Sequence, residues 1–130
     1  MKQINIFVCD SYHTHEIAKS LQAYFGDRVV CHEEDIPHGV TIDIFVLSGR
    51  DVLFGGLEYI SRLKKKGSSK SKIMAVSVLD DYLERIERRP ELGVDFTFPK
   101  RKLVDGLFLA DSGRLNNAKS ILDRLLASVS

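Results

Sequence analysis

Four polar clusters follow apolar runs in this sequence, and their residue types limit the chemistry open to them. They are Cys9-Asp10-Ser11, Ser48-Gly49-Arg50-Asp51, Ser77 and Pro99-Lys100. A cysteine attacks only as its thiolate, and a serine needs a neighbouring base. Ser48 and Ser77 could bind an anion together with Lys100; the plainer alternative is that both hydroxyls bond backbone groups. No zinc site is expected, because Cys9 and Cys31 have no short spacing and the four histidines do not supply one. His13 and His15 stand two apart, so they face different sides of a helix and do not share a metal. Lys64, Lys65, Lys66, Lys70 and Lys72 form a basic turn without interleaved aromatics, which reads as a solvated helix end and argues against nucleic acid.

These clusters need elements to hold them. Ile4 to Cys9 is short, β-branched and aromatic, as a buried strand is. Between Ser11 and Phe25, residues Ile17, Ala18, Leu21, Tyr24 and Phe25 share one helical face, and Gly26 ends it. Arg28 to Cys31 is a weaker strand, and Ile42 to Leu47 is an almost wholly apolar one that needs cover on both faces. Gly55-Gly56 marks a break, after which Leu57, Ile60 and Leu63 line a helix that ends in three lysines and Gly67. Ile73 to Val78 is a fourth strand. Leu79, Tyr82, Leu83 and Ile86 repeat at helical spacing, Val94 to Phe98 is a fifth strand, and a last helix runs from about Leu115 to Leu125. Strands alternating with helices imply βαβ units and a parallel sheet. Ligands of such a sheet sit at the carboxyl ends of its strands, where all four polar clusters fall.

The 130 residues suit one domain, and an apolar content of 44% is enough for one core. A formal net charge of +1 gives no global field toward nucleic acid or an anionic membrane. No apolar run reaches the length of a membrane span, and the N-terminus enters a strand-like segment without a secretory apolar region. The expectation is a cytoplasmic protein with reduced thiols.

In order and spacing, several pieces resemble the receiver domain of bacterial two-component regulators. Val8-Cys9-Asp10-Ser11 is similar to the acidic end of the first receiver strand. Asp43 to Ser48 resembles the third strand, which ends there on the phospho-acceptor aspartate. Gly56-Leu57-Glu58 looks like the start of the following helix, Met74 to Ser77 ends on the hydroxyl residue, and Gly93-Val94-Asp95 through Pro99-Lys100 resembles the strand that ends on the family's lysine. The resemblance covers about residues 3–101. It implies a flavodoxin-like three-layer sandwich with a five-stranded parallel sheet of order 2-1-3-4-5. One receiver-like domain then spans 1–130, with a variable helical segment over 102–130.

The resemblance also shows what is altered. Ser48 stands where the acceptor carboxylate would be, and Cys9 replaces one of two metal-holding acids, leaving Asp10. Removing two carboxylates weakens any hold on Mg²⁺. Arg101 stands where proline follows the lysine, and Thr97 occupies the aromatic switch position. The pocket of Cys9, Asp10, Ser48, Ser77 and Lys100 therefore reads as vestigial, with Asp10 and Lys100 forming an ion pair in place of the phosphate network. No enzyme activity, cofactor or metal is expected. The implied function is signalling by protein–protein contact, independent of phosphorylation. The family's output face is its fourth helix, fifth strand and final helix, which corresponds here to about Tyr82–Lys100 with the last helix; a homodimer is left open. Two alternatives stand beside this reading. One is a receiver that takes phosphate at a non-standard residue, for which Asp51 would lie in a loop. The other is a phosphocysteine carrier similar to sugar-transport IIB proteins, using Cys9. A cobalamin module would need a different order of residues after the first strand.

Overall fold

The run Ile44–Ser48 is buried at every position, so the fold has to cover it on both faces. A computed structural model describes residues 3–99 and 112–129 and shows how this is done. The elements in chain order are β1 (Ile4–Cys9), α1 (Thr14–Phe25), β2 (Val29–His32), β3 (Ile44–Ser48), α2 (Gly49–Lys66), β4 (Lys72–Ser77), α3 (Asp80–Glu87), β5 (Phe96–Pro99) and α4 (Ser112–Ala127). All strand pairs are parallel and the order is β2-β1-β3-β4-β5. This is the flavodoxin-like three-layer arrangement that the resemblance implied, and the parallel sheet that the alternation of strands and helices implied.

Two apolar cores flank the sheet. On one face Ile6, Val8, Val46, Val76 and Phe98 meet Ile17, Leu21 and Phe25 of α1 and Leu122 and Leu125 of α4. On the other, Phe45, Leu47, Ile73 and Ala75 meet Val52, Leu53, Ile60 and Leu63 of α2 and Ile86 of α3. Full burial of a side chain such as Phe45 contributes roughly 1.5–3 kcal/mol.

Three details differ from the expectation. First, α2 begins directly at Gly49 rather than after Gly55-Gly56. The break is real but internal: Gly56 has φ 60° and ψ −151°, which joins two helical pieces at a kink. That turn takes Leu57 off the Ile60–Leu63 stripe, and Leu57 is 52% exposed. Second, Leu79 is not a core position of α3 but its exposed N-terminal neighbour. Third, strand and helix alternate except once: residues 33–43, between β2 and β3, contain no helix. Gly67 ends α2 as read, for a packing reason. A Cβ there would lie 2.8 and 2.9 Å from Phe45 ring carbons.

Two aspartates fix strand starts. Asp43 precedes β3 and its Oδ2 accepts from Asn5 N–H at 2.9 Å, while Asp43 N–H donates to Asn5 O. Asp95 does the same before β5 with Ile73. Asp43→Ala leaves the Asn5 amide without its acceptor, so urea unfolding should show a loss of about 1–3 kcal/mol. Asp43→Asn keeps an acceptor oxygen and should recover most of that loss. Equal losses would mean that the acceptor is not what matters.

Candidate functional site

Because the strands are parallel, β1, β3 and β4 all end at one edge of the sheet, and the polar residues that follow them meet there. Asp10 follows β1 and is 8% exposed. Its Oδ2 accepts from the backbone N–H groups of Tyr12 at 3.1 Å and His13 at 2.9 Å. The Thr14 hydroxyl accepts from Asp10 N–H at 2.9 Å and donates to Asp10 O. An aspartate just before a helix is a natural acceptor for orphan amides. The carboxylate is thus engaged with the start of α1. Lys100, expected as its ion-pair partner, lies outside the described residues, and so does that pairing.

Ser48 is the last residue of β3 and leads α2 in extended conformation, without a side-chain cap bond. Ser77 ends β4, and its Oγ accepts from Leu79 N–H at 3.0 Å. Ser77 thus bonds a backbone amide, while Lys100, its partner in the anion-binding alternative, lies outside the described residues. Both serines are 6% exposed and open onto a cleft of about 190 Å³, which Tyr12, Arg50, Val78, Leu79 and Tyr82 also line. The junction is tight, since a Cβ on Gly49 would lie 3.2 Å from Ser77 Cβ.

The rim of the cleft is aromatic and apolar. The Arg50 guanidinium lies 5.9 Å from the Phe54 ring centre, and Nη1 makes a long 3.5 Å contact with the Tyr12 hydroxyl. The Phe54 and Tyr82 rings meet edge to face at 6.3 Å. Tyr12, Phe54, Val78 and Leu79 are exposed. The sequence named Arg50 without a role and expected Asp51 in a loop. Asp51 is in the first turn of α2, and its Oδ2 accepts from Ser11 Oγ at 3.2 Å. An acid in a first helical turn is a legible signal once the helix start is placed correctly.

The remaining candidates are not in the cleft. Cys9 points to the opposite side of β1 from Val8 and packs toward α2. Burial pushes its thiol up; Tyr59 opposes this, and Asp51 and Asp10 add to it. The Tyr59 hydroxyl is buried with no partner of hydrogen-bond geometry, so the thiol lies beside it without full alignment. Burial, then Cys9, pushes the Tyr59 phenol up. Thr97 is on β5, where its Oγ1 donates to Glu87 Oε1 at 2.7 Å. That contact borders a groove of about 400 Å³ between α3, β5 and α4, lined by Ile86, Glu87, Pro90, Phe96, Thr97 and Ile121 among others. His13 precedes α1, whereas His15 Nδ1 sits 2.9 Å from Glu33 Oε1. Among the described residues no group of three or more His, Cys, Asp or Glu is placed to hold a metal ion, and no helix is long and apolar enough to cross a membrane.

No family model, curated protein or solved structure matches the chain.

Two outcomes follow from this geometry. Asp10→Ala should lower stability by about 0.5–2 kcal/mol through loss of the cap, and Asp10→Asn should lower it less, as read by urea unfolding. Both thiols should alkylate more slowly at pH 8 than an exposed cysteine, since only the thiolate reacts. Cys31 is pushed up to about 11 by burial and then by Glu33, so its rate should still climb above pH 10. The stability sign is matched: the unfolded thiol ionises near 9, so stability is intact below that pH and falls between 9 and 11. Mass spectrometry of alkylated fragments reads the rates, and a Cys31 rate that levels off below pH 9 would contradict this.

Proposed function

We propose that this chain is a receiver-like signalling domain of the cytoplasm, which acts by protein contact and without phosphorylation. One observation carries the reading. The strand end where a receiver needs a carboxylate nucleophile holds Ser48, and the carboxylate of Asp10 nearby is bonded to the Tyr12 and His13 amides. Among the described residues no base lines the cleft beside that hydroxyl; the lining is Tyr12, Ser48, Arg50, Val76, Ser77, Val78, Leu79 and Tyr82.

The contact surface in this reading is the α3–β5–α4 face. Its groove, beside β5 as the last strand of the described sheet, supports that choice, because an edge strand and a half-apolar groove suit protein recognition. Thr97 is tied to Glu87 there, so the switch position is occupied by a side chain fixed to α3.

The rival carrier reading lacks comparable support. A phosphocysteine loop needs free backbone amides and a low thiol pKa. Here two of those amides are bonded to Asp10, and the Cys9 thiol is pushed up.

Incubation with acetyl phosphate and Mg²⁺, followed by intact-mass measurement and fragmentation, tests the proposal. The expected result is no added phosphoryl group, and no amide shifts at Asp10, Ser48 or Ser77 on adding millimolar Mg²⁺ and beryllofluoride. A phosphoryl group mapped to Ser48 or Asp51 would restore a phosphorylated receiver. One mapped to Cys9 would restore the carrier.

A further inference from the structure

The sheet is unevenly covered. On the face packed by α1 and α4, Ile4, Ile6, Val8 and Val29 are buried, and Cys31 near the end of the edge strand is half-buried. On the opposite face of the same two strands, Asn5, Phe7, Cys9, Val30 and His32 are only half-buried. The next strand shows no such asymmetry, since β3 is buried throughout. The cause lies in the crossovers. Those that follow β3 and β4 are the helices α2 and α3, but residues 33–43, between β2 and β3, are coil and lend Ile36, Val40 and Ile42 to this side. A helix with its side chains is about 10 Å wide, and a coil is thinner, so the sheet stays open beside α2.

The flank of α2 that borders this strip is defined by Tyr59, which sits beside Cys9 of β1. Tyr59, Arg62, Leu63, Lys65 and Lys66 line a cleft of about 380 Å³. Among the described residues none of these three cations has a carboxylate within 4.0 Å. The Tyr59 hydroxyl is buried beside the Cys9 thiol. The strip thus combines a half-buried floor, apolar at Phe7 and Val30 and closed on itself where His32 Nε2 meets Asn5 Oδ1 at 3.0 Å, with a basic wall whose cations have no carboxylate within 4.0 Å among the described residues.

We infer that this strip docks an acidic amphipathic helix of a partner protein, which completes the layer that the coil crossover leaves thin. The apolar face of that helix lies on Phe7 and Val30. Its carboxylates face Arg62, Lys65 and Lys66. This is recognition of a helix in a groove, with charge setting orientation. The half-buried apolar floor favours a protein helix over a phosphate backbone, which needs only the cations. The surface is separate from the α3–β5–α4 groove and stands whether or not the domain is phosphorylated.

The test titrates the isotope-labelled full chain with two helical peptides that share one leucine face, one flanked by glutamate and the other by lysine. The glutamate peptide should shift the amides of Phe7, Cys9, Val30 and Tyr59, and the lysine peptide should not. The double variant Arg62→Glu, Lys66→Glu changes exposed side chains and should weaken binding about tenfold or more. If that variant fails to fold, Lys65→Glu alone must still weaken binding measurably. No shifts at millimolar glutamate peptide would overturn the inference. So would equal shifts with both peptides, shifts confined to the α3–β5–α4 groove, or binding unchanged by the charge reversals. Stronger binding of a single-stranded oligonucleotide than of the glutamate peptide would assign the cations to nucleic acid and overturn it too.

Discussion

The double burial of β3 constrains the rest of the molecule. All five of its residues are buried, so it has no solvent face and both of its sides must be covered by other elements. One side is supplied by α1 and α4, the other by α2 and α3. Parallel neighbours demand crossovers that return the chain to the same edge each time. Asp10, Ser48 and Ser77 therefore come together through topology, although 38 and 29 positions separate them in sequence.

At that edge the backbone decides what the side chains are free to do. The start of α1 leaves orphan amides, and Asp10 satisfies two of them. At the end of β3 no loop intervenes before α2, so Arg50 and Asp51 are projected straight from the junction. Asp51 reaches Ser11 in the loop after β1, and Arg50 lies between Phe54 and Tyr12. Among the described residues the cleft is lined by two serine hydroxyls, one arginine and aromatic and apolar side chains, with the Asp10 and Asp51 carboxylates at the same edge of the sheet, bonded to the start of α1 and to Ser11.

The strands were legible because burial on both faces forces β-branched and apolar runs such as Ile44-Phe45-Val46-Leu47. Helix α1 was legible from its spacing, and Ile17, Ala18, Leu21 and Phe25 are buried as that spacing requires. The start of α2 was not. Ser48-Gly49-Arg50-Asp51 has loop composition, yet a serine followed by an acid in the first turn is equally a helix opening, and composition alone does not choose. Leu57 was misassigned for a related reason: a uniform helical period places it with Ile60, but the left-handed backbone at Gly56 interrupts that period. The side of β1 on which Cys9 lies follows from alternation with Val8, whereas its neighbour Tyr59 comes from a distant helix that no local pattern identifies. Lys100 lies outside the described residues, and with it the lysine arm of the resemblance.

The strip beside α2 gains weight from energetics. Burying a phenylalanine fully is worth roughly 1.5–3 kcal/mol, and Phe7 forgoes part of that where the crossover is coil. In the adjoining wall, Arg62, Lys65 and Lys66 have no carboxylate within 4.0 Å among the described residues. Neither feature helps the isolated domain fold. The two lie side by side, whereas the cores on either side of β3 are closed. Local departures from good packing and polar satisfaction tend to collect where a protein meets something else. A partner that buries Phe7 and brings carboxylates to Arg62, Lys65 and Lys66 would use both features at once, so the thin cover that weakens the free domain would add to the affinity of the complex.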